Sequence, residues 1–244
     1  MSSDQRRNLA DYRLKLYAGF MSNHDFLWFS SLEISKVAAT IPIIHSYALS
    51  YAINGFSYGI CTRNFPTYDS DISQMLANGA YATPATPRNR VRSTRFTQNA
   101  LDSMTLMTAA PNGKNSPSLG FRIVLNPAVE WDAGFSFYLF ADSNFRPPAV
   151  VRLGKKGCPV RFSWEELPSP VAVFSKTATQ PTHALNPLDI AGQVVSCEPV
   201  SIPPHMLFKE SEIRQDWFVF AGKHKVHVPK RIFERKMQMA GAEA

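Results

Sequence analysis

Residues 40–52 read Thr40-Ile41-Pro42-Ile43-Ile44-His45-Ser46-Tyr47-Ala48-Leu49-Ser50-Tyr51-Ala52, and they decide between an all-β chain and a mixed one. At about 100° per residue, Ile43, Ile44, Tyr47, Ala48, Tyr51 and Ala52 share one face covering about half the circumference, and Ser46 and Ser50 lie opposite. Thr40 is placed to cap the N-terminus, Pro42 is tolerated in a first turn, and Gly55 is suited to the C-cap. The spacing predicts a helix over 41–53, and that helix excludes an all-β fold.

Upstream, residues 9–20 alternate, with Tyr12, Leu14, Leu16 and Ala18 on one side and Arg13, Lys15 and Tyr17 on the other, as in a half-buried strand. Phe26-Leu27-Trp28-Phe29 forms a short apolar ledge after it. Downstream, residues 57–65 read as a second strand. Pro66 to Pro87 reads as a long excursion with a short helix around Ser73 to Asn78. Arg88 to Thr97 sets Arg88, Arg90 and Arg92 against Asn89, Val91 and Ser93, which predicts an extended ribbon with a basic face. After a turn-rich loop at Ala109 to Ser118, strands are predicted at 121–125, 134–141, 149–153 and 160–164. A proline-rich run of strand fragments covers 168–204. A hairpin around Gly222 pairs Trp217–Ala221 with Lys225–Val228, and a basic tail runs from Lys230 to Lys236. The order gives an α+β class, with helices on one face of a sheet and a β-rich C-terminal half.

The chain has 244 residues, 45% of them hydrophobic and 18% charged, which excludes a disordered chain and leaves room for a core without disulfides. Its net charge of +7 is unevenly spread. Residues 61–125 hold seven cations and three acids, and 222–244 hold six and two, whereas 126–221 is slightly acidic. No acid falls between Asp71 and Asp102, a window that holds Arg88, Arg90, Arg92 and Arg95. A near-neutral body with concentrated basic segments fits a protein that touches a polyanion, and a solvated basic loop would carry the same residues. Three widely spaced cysteines, Cys61, Cys158 and Cys197, offer no paired zinc or redox motif and read as free thiols of a reducing cytosol. With a polar start, Met1 to Asn8, and no long apolar run, the expectation is a soluble cytoplasmic protein.

Catalytic signatures are sparse. Arg152-Leu153-Gly154-Lys155-Lys156-Gly157 is a glycine-bracketed basic turn without Walker spacing. Its glycines would let backbone approach a phosphate, and its cations add charge; a plain basic hairpin turn reads the same. His45 sits at the edge of the helical face, where histidines are commonly packed rather than catalytic. His224 and His227, three apart on a strand, point to opposite faces, which disfavours a metal pair. Asp69 and Asp71 would share a strand face, but no third acid lies near for a metal-dependent nuclease. No nucleophile elbow occurs. The balance favours a binding module without metal or cofactor.

The helix sequence Ile43 to Ala52 resembles the His-x-Tyr-Ala-Leu-x-Tyr-Ala signature of the subtype I-D CRISPR-associated Cas-five group, also called the Csc-one family. Leu27-Trp28-Phe29-Ser30-Ser31-x-Glu33-Ile34, Thr40-x-Pro42 and Val151-Arg152-Leu153-Gly154-Lys155-Lys156 fit the same family. The similarity covers most of the chain, and residues 64–120 match only in general character. Ser46 stands where the family pattern often has Asn.

The resemblance implies a single domain over 1–244 of ferredoxin-like, RRM-related type (the RAMP superfamily), with a basic thumb-like insertion at about 64–120. It implies a non-catalytic subunit of the type I-D interference complex, Cascade. The implied partners are the 5′ handle of CRISPR RNA (crRNA), target DNA near the protospacer-adjacent motif, backbone subunits of the Cas-seven type and the large subunit of the Cas-ten type. Arg88, Arg90, Arg92, Arg95, Arg152, Lys155, Lys156, His45 and Tyr47 are the expected RNA-binding residues. Two alternatives stand beside this reading. One is a metal-independent endoribonuclease with His45 as acid or base, helped by Lys155; the other is a purely structural subunit.

Overall fold

The computed structural model describes residues 6–34, 37–55, 68–98, 120–155 and 157–234, and every absence or count below refers to these. The elements in chain order are β1 (Arg6–Asn8), β2 (Leu14–Asn23), β3 (Leu32–Ile34), β4 (Val37–Ala39), α1 (Ser46–Asn54), α2 (Tyr68–Asn78), β5 (Ala80–Ala82), β6 (Thr86–Arg88), β7 (Ser93–Gln98) and β8 (Gly120–Leu125). They continue with β9 (Gly134–Asp142), β10 (Val150–Leu153), β11 (Cys158–Leu167), β12 (Val171–Ser175), β13 (Gln193–Val200), β14 (Leu207–Arg214), β15 (Asp216–Ala221) and β16 (His224–His227). The class is α+β, mostly strands with few helices.

The central sheet runs β10-β11-β2-β9-β5, with β6 also on β9. Its pairings are antiparallel and place Gly19 opposite both Phe137 and Trp164. Both faces are covered for part of its length. Phe135, Phe137, Leu139, Tyr17 and Met21 pack with Leu49 and Ile53 of α1. Leu14, Leu16, Tyr138 and Phe140 share a core with Val219, Val226 and Ala172 of a second sheet, ordered β1-β12-β15-β16. This double burial explains why β9 is a nearly continuous apolar run rather than an alternating one. It also explains why Tyr17, expected to face outward, is buried: its ring meets that of Trp164, with centroids 6.4 Å apart.

The helix begins later than its periodicity predicts. Residues 40–44 are tied into extended backbone. Ile44 exchanges two 2.9 Å backbone hydrogen bonds with Ala85, and the Thr40 hydroxyl both accepts from the Phe29 N–H and donates to the Phe29 carbonyl, at 2.9 Å each. Thr40 is therefore not the N-cap. His45 is: its Nδ1 accepts the Tyr47 N–H at 3.1 Å. Gly55 closes the helix as expected, at φ 69° with its N–H on the Ala52 and Tyr51 carbonyls.

Residues 9–12 form a 3-10 turn ended by Arg13 at φ 55°, so the strand expected over 9–20 starts only at Leu14, as β2. The short helix expected near 73–78 begins at Tyr68. Asp71 therefore lies on a helix, where a spacing of two does not mean a shared face. Its carboxylate accepts the Tyr51 hydroxyl at 2.7 Å. The hairpin around Gly222 pairs as predicted. The strand expected at 57–65 and the loop expected at 109–118 lie outside the described residues.

The segment expected as an insertion over 64–120 divides in two. Strands β5 and β6 pair with β9 and so belong to the central sheet. Strands β7 and β8 pair with each other, and β8 continues in parallel onto β4, giving a separate sheet ordered β3-β4-β8-β7.

Candidate functional site

A groove of about 540 Å³ opens between one flank of α1, the turn after β10 and the Pro203–Pro204 segment. Tyr47, Ala48 and Tyr51 contribute from the helix and His45 from its N-cap, Arg152 from β10 and Lys155 from the turn after it, and Phe29 and Ser30 from the segment before β3. Two motifs more than a hundred residues apart in sequence therefore meet across one cleft.

The turn is fixed by its backbone. Gly154 sits at φ 79°, and a Cβ there would lie 2.7 Å from the Trp28 carbonyl oxygen. Only glycine fits both the left-handed conformation and that approach. The close approach is held by the Lys155 N–H, which donates to the Trp28 carbonyl at 2.9 Å. The Arg152 guanidinium donates to the Gly157 carbonyl at 3.0 Å across the turn. Lys155 lies 5.1 Å from the Trp28 ring centroid and Arg122 5.2 Å from it, so this indole is flanked by two cations. Lys155 also meets Glu33 at 3.9 Å. Both partners are more than half exposed, which leaves the ammonium available to a stronger anion.

On the helix side, His45, His205, Tyr47, Tyr68 and Tyr51 form a contiguous ring cluster. His45 lies 4.6 Å from His205 and 4.8 Å from Tyr47, and Tyr47 stacks on Tyr68 at 4.9 Å. Tyr68 and Tyr51 meet edge-on at 6.2 Å. His45 and Tyr47 are nearly fully buried, so they frame the groove, while half-buried Tyr68 and Phe29 present ring surface to it. Burial, reinforced by neighbouring His205, lowers the His45 pKa to about 3, and the ring is neutral at physiological pH. Its Nδ1 is the acceptor of the Tyr47 N–H, which places the ring proton on Nε2.

The other expected cations sit elsewhere. Arg88 ends β6, with its guanidinium 5.6 Å from the Phe20 ring. Arg90 and Arg92 line a small recess beside Asn23 and Asn126, and Arg95 lies on β7. Lys156 lies outside the described residues. Arg88, Arg90, Arg92 and Arg95 are all exposed, and none of them lines the α1 groove. Sequence reading missed Trp28, Tyr68 and His205 as parts of the site. Trp28 stood within the ledge motif, whereas nothing in the sequence links His205 to a helix 160 positions earlier.

His224 and His227 face opposite ways on β16, as expected. His224 bonds the Tyr138 hydroxyl at 2.8 Å, and His227 pairs with buried Asp216 at 2.9 Å. Cys158 is buried, with its thiol donating to the Asp25 carbonyl at 3.1 Å. Among the described residues no three His, Cys, Asp or Glu side chains stand close enough to hold a metal ion. No helix among them is long and apolar enough to cross a membrane.

The α1 signature and the Arg152–Lys155 segment thus share one groove of an α+β chain. The family model of the type I-D CRISPR-associated protein Cas5/Csc1 matches residues 14–236, and the chain belongs to that family. It is thus a subunit of the type I-D Cascade class. No curated protein matches the chain.

Proposed function

We propose that this chain is the non-catalytic RNA-binding subunit of the type I-D complex. It holds the 5′ handle of crRNA, caps one end of the filament of backbone subunits, and contacts the large subunit near the protospacer-adjacent motif of target DNA. The observation that carries the reading is the convergence of α1 and the Gly154 turn on one groove. Arg152 and Lys155 supply phosphate-binding charge at its mouth, and Phe29 and Tyr68 supply ring surface for unstacked bases. His45 and Tyr47 act as positioning residues, through the helix cap and the stack on Tyr68.

On this reading the fold is a ferredoxin-like, RRM-related domain of the RAMP superfamily. The β7–β8 ribbon is the root of a thumb, and Arg95 on it, with Arg88, Arg90 and Arg92 on the segment that leads into it, are phosphate contacts. The state of His45 supports a binding rather than a cleaving role. A buried, neutral imidazole with a pKa near 3 and its Nδ1 occupied by a backbone N–H is a poor general acid and a weak base at neutral pH.

The test is a salt titration of the full chain on a repeat-derived RNA. Log affinity is expected to fall with log salt with a slope of about 0.7 for each phosphate the protein neutralises on single-stranded RNA. A flat response would overturn the reading and leave a purely protein-binding subunit.

A further inference from the structure

The loop between β8 and β9 carries the most exposed aromatic side chain among the described residues. Trp131 is 96% exposed and Val129 is 87% exposed. Such exposure is unfavourable for an isolated chain, and a mobile tail could avoid it, but this loop is pinned at several points. The Asn126 N–H donates to the Arg92 carbonyl at 2.9 Å, and the Ala128 N–H donates to the Asn23 carbonyl at 3.0 Å. The Asn89 amide donates to the Asp132 carboxylate at 2.6 Å and to the Asp132 carbonyl at 3.2 Å. Arg92 lies 4.0 Å from Glu130. The tryptophan is therefore held out on a loop tied to the β6–β7 connection, which carries Arg90 and Arg92 next to Arg88 at the end of β6.

Behind it lies a cavity of about 640 Å³ on the central sheet. The face that meets the second sheet through Leu14, Leu16, Tyr138 and Phe140 continues past the edge of that sheet as Ala18 and Phe20, Ser136, and Ser163 and Glu165. Arg88 lies over the Phe20 ring at one side, and Lys223 and His224 of the β15–β16 turn close the other. Of the two acids that line the cavity, Asp132 is held by Asn89, and Glu165 is exposed on the floor; Glu130, on the adjoining loop, is near Arg92. Arg88 and Lys223 are the arginine and lysine cations that line the cavity, around an aromatic floor and an aromatic post, and Arg90 lies in the neighbouring recess beside Val129 and Glu130.

We propose that this open sheet face is a second nucleic-acid contact, distinct from the α1 groove, where a single-stranded base stacks on Trp131 and its flanking phosphates meet Arg88 and Arg90. The inference rests on the RNA-binding reading above and names an aromatic contact for it. Aromatic faces bind bases of any sequence, and guanidinium groups supply the backbone charge that such stacking needs. The volume suits one or two nucleotides rather than a duplex.

The test compares the full-length wild-type chain with Trp131→Ala and Trp131→Phe on a repeat-derived single-stranded RNA and on the same RNA carrying abasic sites. Trp131 is fully exposed, so neither change disturbs the core. Trp131→Ala is expected to weaken binding to the intact RNA about tenfold and to leave the affinity for the fully abasic RNA unchanged, and Trp131→Phe is expected to recover most of the loss. Equal affinity of wild type and Trp131→Ala for intact RNA overturns the inference while leaving the RNA-binding reading in place. No binding by the wild-type chain overturns both. A loss confined to assembly with protein subunits, with RNA affinity unchanged, also overturns it, in favour of a protein contact.

Discussion

The backbone N–H of Lys155 donates to the carbonyl of Trp28 at 2.9 Å while the Lys155 ammonium lies 5.1 Å from the same tryptophan's ring. This double engagement joins the apolar ledge of the first thirty residues to the basic turn after β10. It sets the mouth of the α1 groove, because it determines where Arg152 and Lys155 project. Lys155 and Trp28 are thus one unit, and the glycine between Leu153 and Lys155 allows them to approach.

Gly154→Ala tests that unit. The substitution forces a side chain into a left-handed conformation and against the Trp28 carbonyl. A loss of about 1–2 kcal/mol is expected from the backbone conformation alone, with a further cost for the clash. Urea denaturation reads the stability. The accompanying loss of RNA affinity should exceed that of Gly222→Ala, which sits at φ 57° in an open turn away from the groove.

His45 separates capping from catalysis. His45→Ala removes the acceptor for the Tyr47 N–H and is expected to cost about 1 kcal/mol of stability, whereas His45→Asn supplies a good capping side chain and should cost less. Neither variant is expected to alter cleavage of a repeat RNA in chelator, because the wild-type chain is expected to show none. Cleavage by wild type that disappears in both variants would return His45 to a catalytic role.

Acidification probes the buried histidines. His183 uses both nitrogens in its neutral form: Nδ1–H donates to the Ala184 carbonyl at 2.8 Å, and Nε2 accepts the His227 N–H at 3.1 Å. Burial lowers the pKa of His183 to about 3, and burial with nearby His205 does the same for His45. Both folded values lie below the unfolded one near 6.5. Their stabilisation is therefore complete above pH 6.5 and is lost as pH falls toward 3. The loss is about 1.4 kcal/mol per pH unit for each histidine. Asp189 runs the other way: burial raises its pKa to about 6, against the lowering effects of the Tyr81 hydroxyl and Arg231. Its contribution is full below about pH 4 and is lost as pH rises through about 6, so it offsets one histidine between those values. A net fall in the urea midpoint from pH 6.5 to pH 4 is expected, and His183→Gln should flatten it.

The arginine turn is tested by charge alone. Arg88→Ala, Arg90→Ala and Arg92→Ala are exposed changes and are expected to leave stability within about 0.5 kcal/mol. Each should reduce the salt dependence of RNA binding by about 0.7 in slope if that arginine neutralises one phosphate. Equal slopes for the triple variant and wild type would remove these arginines from the interface.

The class of the fold was legible because apolar runs and turn residues mark the buried strands and their connections. The β9 run and the hairpin around Gly222 appear where expected, whereas α1 buries Ser46 and Ser50 and sets Ala48 and Ala52 at the groove, the reverse of the expected stripe. The start of α1 was not legible, because the hydrogen bonds that hold Thr40 and Ile44 in extended backbone come from Phe29 and Ala85, which local spacing cannot reveal. The same limit hid the place of β5 and β6. Three-residue strands carry no period, and they are defined by pairing with β9. At the site, the helix signature and the Arg152–Lys155 turn were readable as motifs. Their convergence, and the parts played by Trp28, Tyr68 and His205, follow from long-range packing alone.

The central claim is that this chain holds the 5′ handle of crRNA, and ribonuclease footprinting of that handle tests it most directly. Type I-D complexes would be assembled with the wild-type chain, with an Arg152→Ala, Lys155→Ala double variant, and without the chain. Protection of the handle with wild type, weakened protection with the variant and exposure without the chain is the expected result. Equal protection of the handle in complexes assembled with and without the chain would contradict the claim.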